Sequence, residues 1–282
     1  MNGEFLHDNL LETSGVSFSG SSWSLPLTNL LDRQMVARPA RCTTPAAATI
    51  RVDFGRPLTV SRWFLAHLTT TLVATYSVKA SSTAAHAGDL LTLGPARIVA
   101  RAVSSVSLPW DEPGWWRGIP RQKDVEQYPR HLWIRLNKTR ARYWEITLSD
   151  PANAAGHLDV GYALAGTPVT VEYNYDLGRR RLREQRSVVE YTPGGGIITS
   201  RRAPLRGQSV TFGLLSDAEA ARFYDMGQLR DTVDPVVFVP RPTDHRDGLR
   251  DIYPARLISA MTPQMEQPGI WSVAVEMKEL IA

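Results

Sequence analysis

What the chain lacks narrows it first. Across 282 residues there is one cysteine, Cys42, so no disulfide can form within the chain. Beside Arg41 this lone thiol reads as a small packed residue, since free cysteine is among the most buried residue types. No apolar run approaches the roughly 20 residues that a membrane-spanning helix needs. Asn2-Gly3-Glu4 is not the basic start of a signal peptide, so the expectation is a protein made and assembled in a cytosol. Strong charge of one sign is missing too: 32 Lys and Arg stand against 28 Asp and Glu, a net charge of +4. That small excess does not imply nucleic acid and suits an acidic partner surface equally well.

The signatures of several enzyme classes are also absent. There is no His-Glu-x-x-His, no Gly-x-Ser-x-Gly and no phosphate loop ending in Gly-Lys-Ser/Thr. Gly194-Gly195-Gly196 lacks the lysine and the helix start that a phosphate cradle requires, and reads as a hairpin turn. The six histidines, His7, His67, His86, His131, His157 and His245, are scattered without metal-ligand spacing, and His67 reads as a core histidine on an apolar strand. Asp244, Asp247 and Asp251 do not make a calcium loop, because Arg246 stands where an oxygen ligand is needed. No catalytic residue and no acid/base pair of carboxylates is nominated, and the chain is expected not to be an enzyme.

What the chain has is alternation with a period of two, the mark of a half-buried strand. It runs through residues 49–55 and 76–81, while residues 60–68 are apolar on both faces, so both faces are expected to be covered. Residues 132–136 form another strand. The stretch 141–166 organises this half: Trp144, Ile146 and Leu148 alternate, Asp150-Pro151-Ala152-Asn153 breaks the pattern, and a second run carries Leu158, Val160 and Tyr162. It reads as a β-hairpin closing an N-terminal sandwich over residues 1–166, with Gly166-Thr167-Pro168 leading into a second domain over residues 167–282.

In that second domain Val169, Val171, Tyr173 and Tyr175 predict a clean strand. A hairpin turns at residues 190–196, and Val210, Phe212 and Leu214 alternate in the strand that follows. Ser216-Asp217-Ala218-Glu219 has the form of a capping box, predicting a helix over about 216–229 that buries Ala220, Phe223 and Met226. Strands at 235–240, 256–258 and 271–277 complete a mostly β chain: an N-terminal β-sandwich followed by a smaller β-rich domain with one α-helix.

Two features have a claim to binding. Within an insertion at about 84–130, residues 108–120 hold Trp110, Trp115, Trp116 and Arg117 among prolines, which rules out a helix interior. Tryptophan stacks on sugar faces and anchors protein interfaces. A protein contact ranks above a sugar site here, and packing of the loop back onto the core stands as an equal alternative. The second feature is the run Arg179, Arg180, Arg181, Arg183 and Arg186, with Arg201 and Arg202 across the hairpin. A solvated hairpin comes first for this run, an assembly contact with carboxylates second, and nucleic acid last, since few stacking aromatics are near.

The order of an Asn29-Leu30-Leu31-Asp32 turn, an Ile50-x-Val52-Asp53-Phe54-Gly55 strand, an apolar strand and a strand ending at Ser81 resembles the galactose-binding-like, discoidin-type jelly roll. Phe54 departs from the leucine usual there. That resemblance implies a jelly-roll sandwich over the first domain and a structural calcium ion near Asn29 and Asp32, for which a plain buried turn is the alternative. Three further pieces resemble a family of tail proteins of long-tailed bacteriophages and prophages. They are Leu108-Pro109-Trp110 with Trp115-Trp116; Ala141-Arg142-Tyr143-Trp144 through Asp150-Pro151 to Val160-Gly161; and Leu215-Ser216, Asp234 to Pro240 and Trp271-Ser272-Val273. His157 departs from a tyrosine common in such proteins. This second resemblance implies a non-enzymatic structural protein of the tail tip or baseplate, assembled in the host bacterial cytoplasm and residing in the virion. Its partners would be further copies of itself, other tail proteins (hub, tube or tape-measure) and a host surface glycan. A carbohydrate-binding module for cell-envelope glycans is the alternative reading.

Overall fold

The alternating stretches of the first half fold as strands β1 (Glu4–Leu6), β2 (Ser17–Ser19), β3 (Trp23–Leu25), β4 (Ala40–Cys42), β5 (Ala48–Leu68), β6 (Thr75–Ser81), β7 (Leu91–Arg97), β8 (Arg130–Ser149), β9 (Leu158–Val160) and β10 (Tyr162–Gly166). They are seen in a computed structural model that describes residues 2–99, 126, 128–230, 232–243 and 248–280. The chain divides into two compact units. One comprises Glu4–Val169 and Phe238–Tyr253; the other comprises Met1–Gly3, Thr170–Val237 and Pro254–Ile281.

The first unit is a jelly-roll β-sandwich. One sheet has the order β10-β5-β8-β6-β7, with β2 also on β5, and the other has the order β3-β4-β9. Both sheets feed one core, in which Ile50, Val52, Trp63, Val78, Trp144 and Ile146 of the large sheet meet Ala40, Cys42, Leu158 and Val160 of the small one. Trp63 and Trp144 sit at its centre, 5.9 Å apart, with Phe54 6.4 Å from Trp63. A tryptophan buries roughly 150–250 Å², so each ring contributes roughly 4–6 kcal/mol of transfer free energy at about 25 cal/mol per Å². Their indole N–H groups find no acceptor among the described residues, which gives back about 1–3 kcal/mol each.

The backbone of this sandwich is the ladder between β5 and β8, in register from Ala48 opposite Leu148 to Leu68 opposite Arg130. Arg56-Pro57-Leu58, a sequence suited to a turn, falls in a bulge within β5. Pairing breaks after Asp53 and resumes at Leu58, with Gly55 at φ +72°. Arg142 clamps the start of the bulge with two hydrogen bonds to Asp53, 2.7 and 3.0 Å, and holds that carboxyl below its usual pKa. Residues 60–66 of β5 are buried without a gap. Arg62 is satisfied there by Glu4, at 2.6 and 2.5 Å, and by the carbonyls of Ser61 and Leu136. In the same unit Phe238 stacks on Phe5 at 4.4 Å.

The hairpin expected over 141–166 does not form. β8 pairs with β5 and β6, β9 pairs with β4 in the other sheet, and β10 returns to β5. The turn at residues 150–157 is therefore a crossover between sheets. Alternation fixes which face a residue shows but not which strand it pairs with. Asp150 explains the crossing. Its fully buried carboxylate accepts from the Thr71 amide (2.6 Å) and hydroxyl (2.5 Å), and its own amide donates to the Pro45 carbonyl (2.8 Å). These bonds tie the end of β8 to two other loops.

The second unit holds β11 (Val169–Thr170, shared with the first), β12 (Arg180–Glu184), β13 (Val188–Tyr191), β14 (Ile197–Ser200), β15 (Leu205–Leu215), β16 (Val236–Val239, also shared), β17 (Pro254–Leu257), β18 (Gln264–Gln267) and β19 (Ile270–Glu279). Helix α1 (Asp217–Leu229) lies in this unit, and a four-residue helix, α2 (Gly248–Asp251), lies in the first. β12, β15, β19 and β17 pair in that order, and β18 adds to β19. α1 buries Ala220, Phe223 and Met226, with Phe223 5.2 Å from Phe212 of β15. A register shift between Phe212 and Leu215 turns Leu215 inward and leaves Leu214 exposed, the reverse of simple alternation.

The strand expected over residues 169–175 is only two residues long. Beyond it the backbone finds side chains instead of a ladder. The Asn2 amide donates to the carbonyls of Val171 (2.7 Å) and Glu172 (2.6 Å), and the Glu172 amide donates to Glu219 (2.7 Å). The Glu219 carboxylate also accepts from the Ser216 amide (3.0 Å) and hydroxyl (2.7 Å), completing the N-terminal cap of α1. Partial burial works to raise the Glu219 pKa, but the hydrogen bonds outweigh it and hold the group below its usual value. The carboxylate's contribution is therefore present above the unfolded pKa and lost as pH falls through the folded one. Glu219→Ala should cost about 1 kcal/mol at neutral pH. In urea titrations the difference from wild type should shrink as pH falls through the lowered pKa of the folded carboxylate.

Candidate functional site

A cleft of about 250 Å³ opens at one end of the sandwich. Its walls come from the loop before β4 (Met35, Val36, Pro39), the end of β5 (His67, Leu68, Thr69), the start of β8 (Pro129, Arg130) and Asp159 of β9. The end of β5 is bent to make it. Pairing with β8 is irregular between Leu65 and Leu68, and His67 adopts φ +52°, uncommon for a residue with a side chain. The His67 amide donates to His131 Nδ1 at 3.2 Å, and the two imidazoles meet edge to face at 5.0 Å.

Gly161 lets the three walls close on one another. A Cβ there would lie 2.5 Å from the Met35 carbonyl oxygen and 2.9 Å from His67 Cβ, while the Gly161 amide donates to Ala66 at 2.9 Å. Thr69 is bound to Asp159 from both sides: its hydroxyl accepts from the Asp159 amide (2.8 Å) and its amide donates to the Asp159 carbonyl (3.2 Å). The Asn153 side chain donates to the Thr69 carbonyl at 2.9 Å, fixing the crossover turn to the same rim.

The electrostatics are paired rather than reactive. Arg41 grips the Asp159 carboxylate with two bonds of 2.7 and 2.8 Å, and that hydrogen bonding raises the arginine pKa. His157 Nε2 lies 3.7 Å from the same carboxylate. Arg130 is half-buried, and burial lowers its pKa against the pull of the Asp150 and Glu126 carboxylates. Among the described residues Asp159 is the one carboxylate lining the cleft, and it is held by a guanidinium, so the described lining offers no two-carboxylate arrangement of the kind glycoside hydrolysis uses. What it offers is an apolar floor beside fixed donors and an acceptor.

Trp110, Trp115, Trp116 and Arg117 lie outside the described residues, as do Asp244 and Asp247. The arginine run belongs to the second unit. Arg180, Arg181 and Arg183 are exposed on β12, Arg179 donates to Gln208 at 3.2 Å, and Arg186 follows β12. At the Asn29 turn, a 3-10 helix (Leu27–Leu31) buries Leu27 and Leu30. The Asn29 amide donates to Pro39, and the Asp32 carboxylate already accepts from the Gln34 amide (2.9 Å) and Arg38 (3.4 Å). Cys42 is buried and free.

Arg41, Arg130 and Asp159 were not singled out from the sequence. The available signal was Asp159 itself, a charged residue inside the apolar run 158–165. Gly161→Ala should force the Met35 loop away from β9 and destabilise the sandwich by about 1–3 kcal/mol, measured by urea denaturation. An unchanged midpoint would mean that the three walls are not in close contact.

No family model and no curated protein matches the chain. Among solved structures, it is similar to the domain CpGH89CBM32-6 produced by Clostridium perfringens, at 10% identity and TM-score 0.35, over 57% of this chain and 99% of that one. It is likewise similar to the CBM32 of AlyQ in complex with 4,5-unsaturated mannuronic acid, at 14% identity and TM-score 0.36, over 57% and 97% of the two chains. A GH29 fucosidase of Ruminococcus gnavus is similar at 11% identity and TM-score 0.39, over 57% of this chain and 27% of the fucosidase.

Proposed function

We propose that the sandwich is a non-catalytic glycan-recognition module that takes a sugar of the cell envelope in the cleft at the end of β5. The make-up of that cleft carries the reading: an apolar floor of Met35, Val36, Pro39 and Leu68 beside the guanidinium of Arg130, the imidazole of His67 and a carboxylate already held by Arg41. A pyranose ring presents C–H groups on its faces and hydroxyls around its rim. It therefore needs an apolar surface for the first and a few fixed polar groups for the second. A volume of about 250 Å³ suits one ring rather than a long oligosaccharide. In this reading Trp115 or Trp116 supplies a stacking face for the sugar. Titration with cell-envelope polysaccharide should show binding that Arg130→Ala, Trp115→Ala and Trp116→Ala each weaken about tenfold or more, with far-UV circular dichroism unchanged. Full affinity in all three variants, or no glycan bound at all, would defeat the proposal.

A second reading places the chain in the tail tip or baseplate of a long-tailed phage, as a structural component beside hub, tube or tape-measure proteins. One observation favours it: β12, β13 and β14 are exposed at every position and carry both arginines and aliphatic side chains, a composition suited to gripping a neighbour. Arg179, Arg180, Arg181, Arg183 and Arg186 would be its assembly contacts. Purified virions should then contain this chain at a fixed copy number within a symmetric ring, and its absence from particles would end this reading. The two are compatible, since a tail tip is where a phage meets host glycans.

A further inference from the structure

The ladder of β12 with β15 is continued outward by that of β13 with β14. Glu184 lies opposite Leu205, and pairing resumes beyond a short break with Val188 opposite Ser200, running on to Tyr191 opposite Ile197. The two hairpins are thus stages of one ribbon, from Arg180 out to the turn at residues 192–196 and back to Ser209. β13 and β14 pair only with each other, and every residue of both is exposed. A lone two-stranded hairpin is at best marginally stable in water.

This ribbon also lacks the devices that keep an exposed edge from pairing. Glu190 is the one charged residue in its outer part, and apolar side chains occupy both faces. Val189, Tyr191 and Ile197 share one face at 52%, 75% and 61% exposure; Val188 and Ile198 share the other. The base is basic: Arg180, Arg181, Arg183, Arg186, Arg201 and Arg202 stand against Glu184, which is itself bound by Lys278.

The same unit carries a surface of opposite character. Tyr173, Leu177 and Leu214 are exposed, and in the chain they are interleaved with Glu172, Asp176 and Asp217. Asp176 is fixed against β15 by its amide bond to the Thr211 carbonyl (2.8 Å), with its carboxylate over Gly213, where a Cβ would meet it at 2.6 Å. Glu172 is bound to Glu219 at the start of α1, beside Asp217. These four carboxylates outnumber two guanidiniums, Arg222 near Glu219 and Arg179 over the Tyr175 ring at 6.0 Å. Among the described residues the ribbon and this surface are both uncovered, and they are opposite in charge and alike in apolar content.

We propose that the ribbon docks on the acidic, apolar surface of a second copy of this chain, so that copies associate head to tail. Two different surfaces meet in such a contact, so it repeats from copy to copy and gives a closed ring or an open filament according to the rotation between neighbours. Branched aliphatics rather than stacked aromatics dominate the ribbon, which favours a protein partner over a single-stranded nucleic acid. The proposal holds whether or not the cleft binds sugar.

Light scattering coupled to size exclusion of the full chain at micromolar concentration should give a mass above that of one chain. Tyr191→Ser with Ile197→Ser should return the protein to a monomer, with unchanged far-UV circular dichroism. Arg201→Glu with Arg202→Glu should weaken association about tenfold, and adding Asp176→Lys and Glu172→Lys should restore it. A monomeric wild type, including one that instead shifts single-stranded DNA, overturns the proposal. So does an oligomer that the ribbon variants leave intact, or a charge reversal that the second pair fails to rescue.

Discussion

Everything in the sandwich hangs on the pairing of β5 with β8. Two strands of 21 and 20 residues span the domain, and their inward faces bring Trp63 against Trp144. Long ladders are stiff only where both strands keep register, and this one yields at three places. Each yield has a use. The break after Asp53 is clamped by Arg142, the one near Arg62 admits the buried Glu4 pair, and the one near His67 bends the strand end into the wall of the cleft. The core and the cleft are thus two products of one ladder, regular from Ala48 to Asp53 and from Arg62 to Leu65 and broken between and beyond these runs.

The cleft is held by backbone contacts more than by side-chain packing. Thr69 and Asp159 exchange bonds in both directions, and Gly161 brings the Met35 loop within reach of β5. Such a rim is preorganised, because its polar groups are satisfied by neighbours before any ligand arrives. Arg41 and Asp159 neutralise one another, so the cleft presents shape and hydrogen bonds rather than a strong field.

How much of this the sequence displays differs by element. Alternation locates the strands well, because it depends only on which face is buried, and Trp144, Ile146 and Leu148 are inward as expected. The cap of α1 is legible because Ser216 and Glu219 are local partners. Partnership across the sheet is not legible: residues 141–166 look like a hairpin, yet the buried bonds of Asp150 to Thr71 and Pro45 send the chain to the opposite sheet. Residues 171–175 alternate like a strand but lose their ladder to Asn2, which no pattern so distant in sequence announces. The cleft fails for the same reason. Met35, His67, Arg130 and Asp159 are far apart in the chain and meet only through the fold, whereas an arginine run stands out in the sequence wherever it lies.

Cys42 sits on β4 between the two sheets, wholly buried in the sandwich core. As the chain's one thiol it is a native reporter: reagents that modify cysteine register the opening of this sandwich and nothing else in the chain. A second cysteine placed on an exposed surface can therefore carry a dye or spin label with the native thiol left in place. Motion in the second unit can then be followed without disturbing the first.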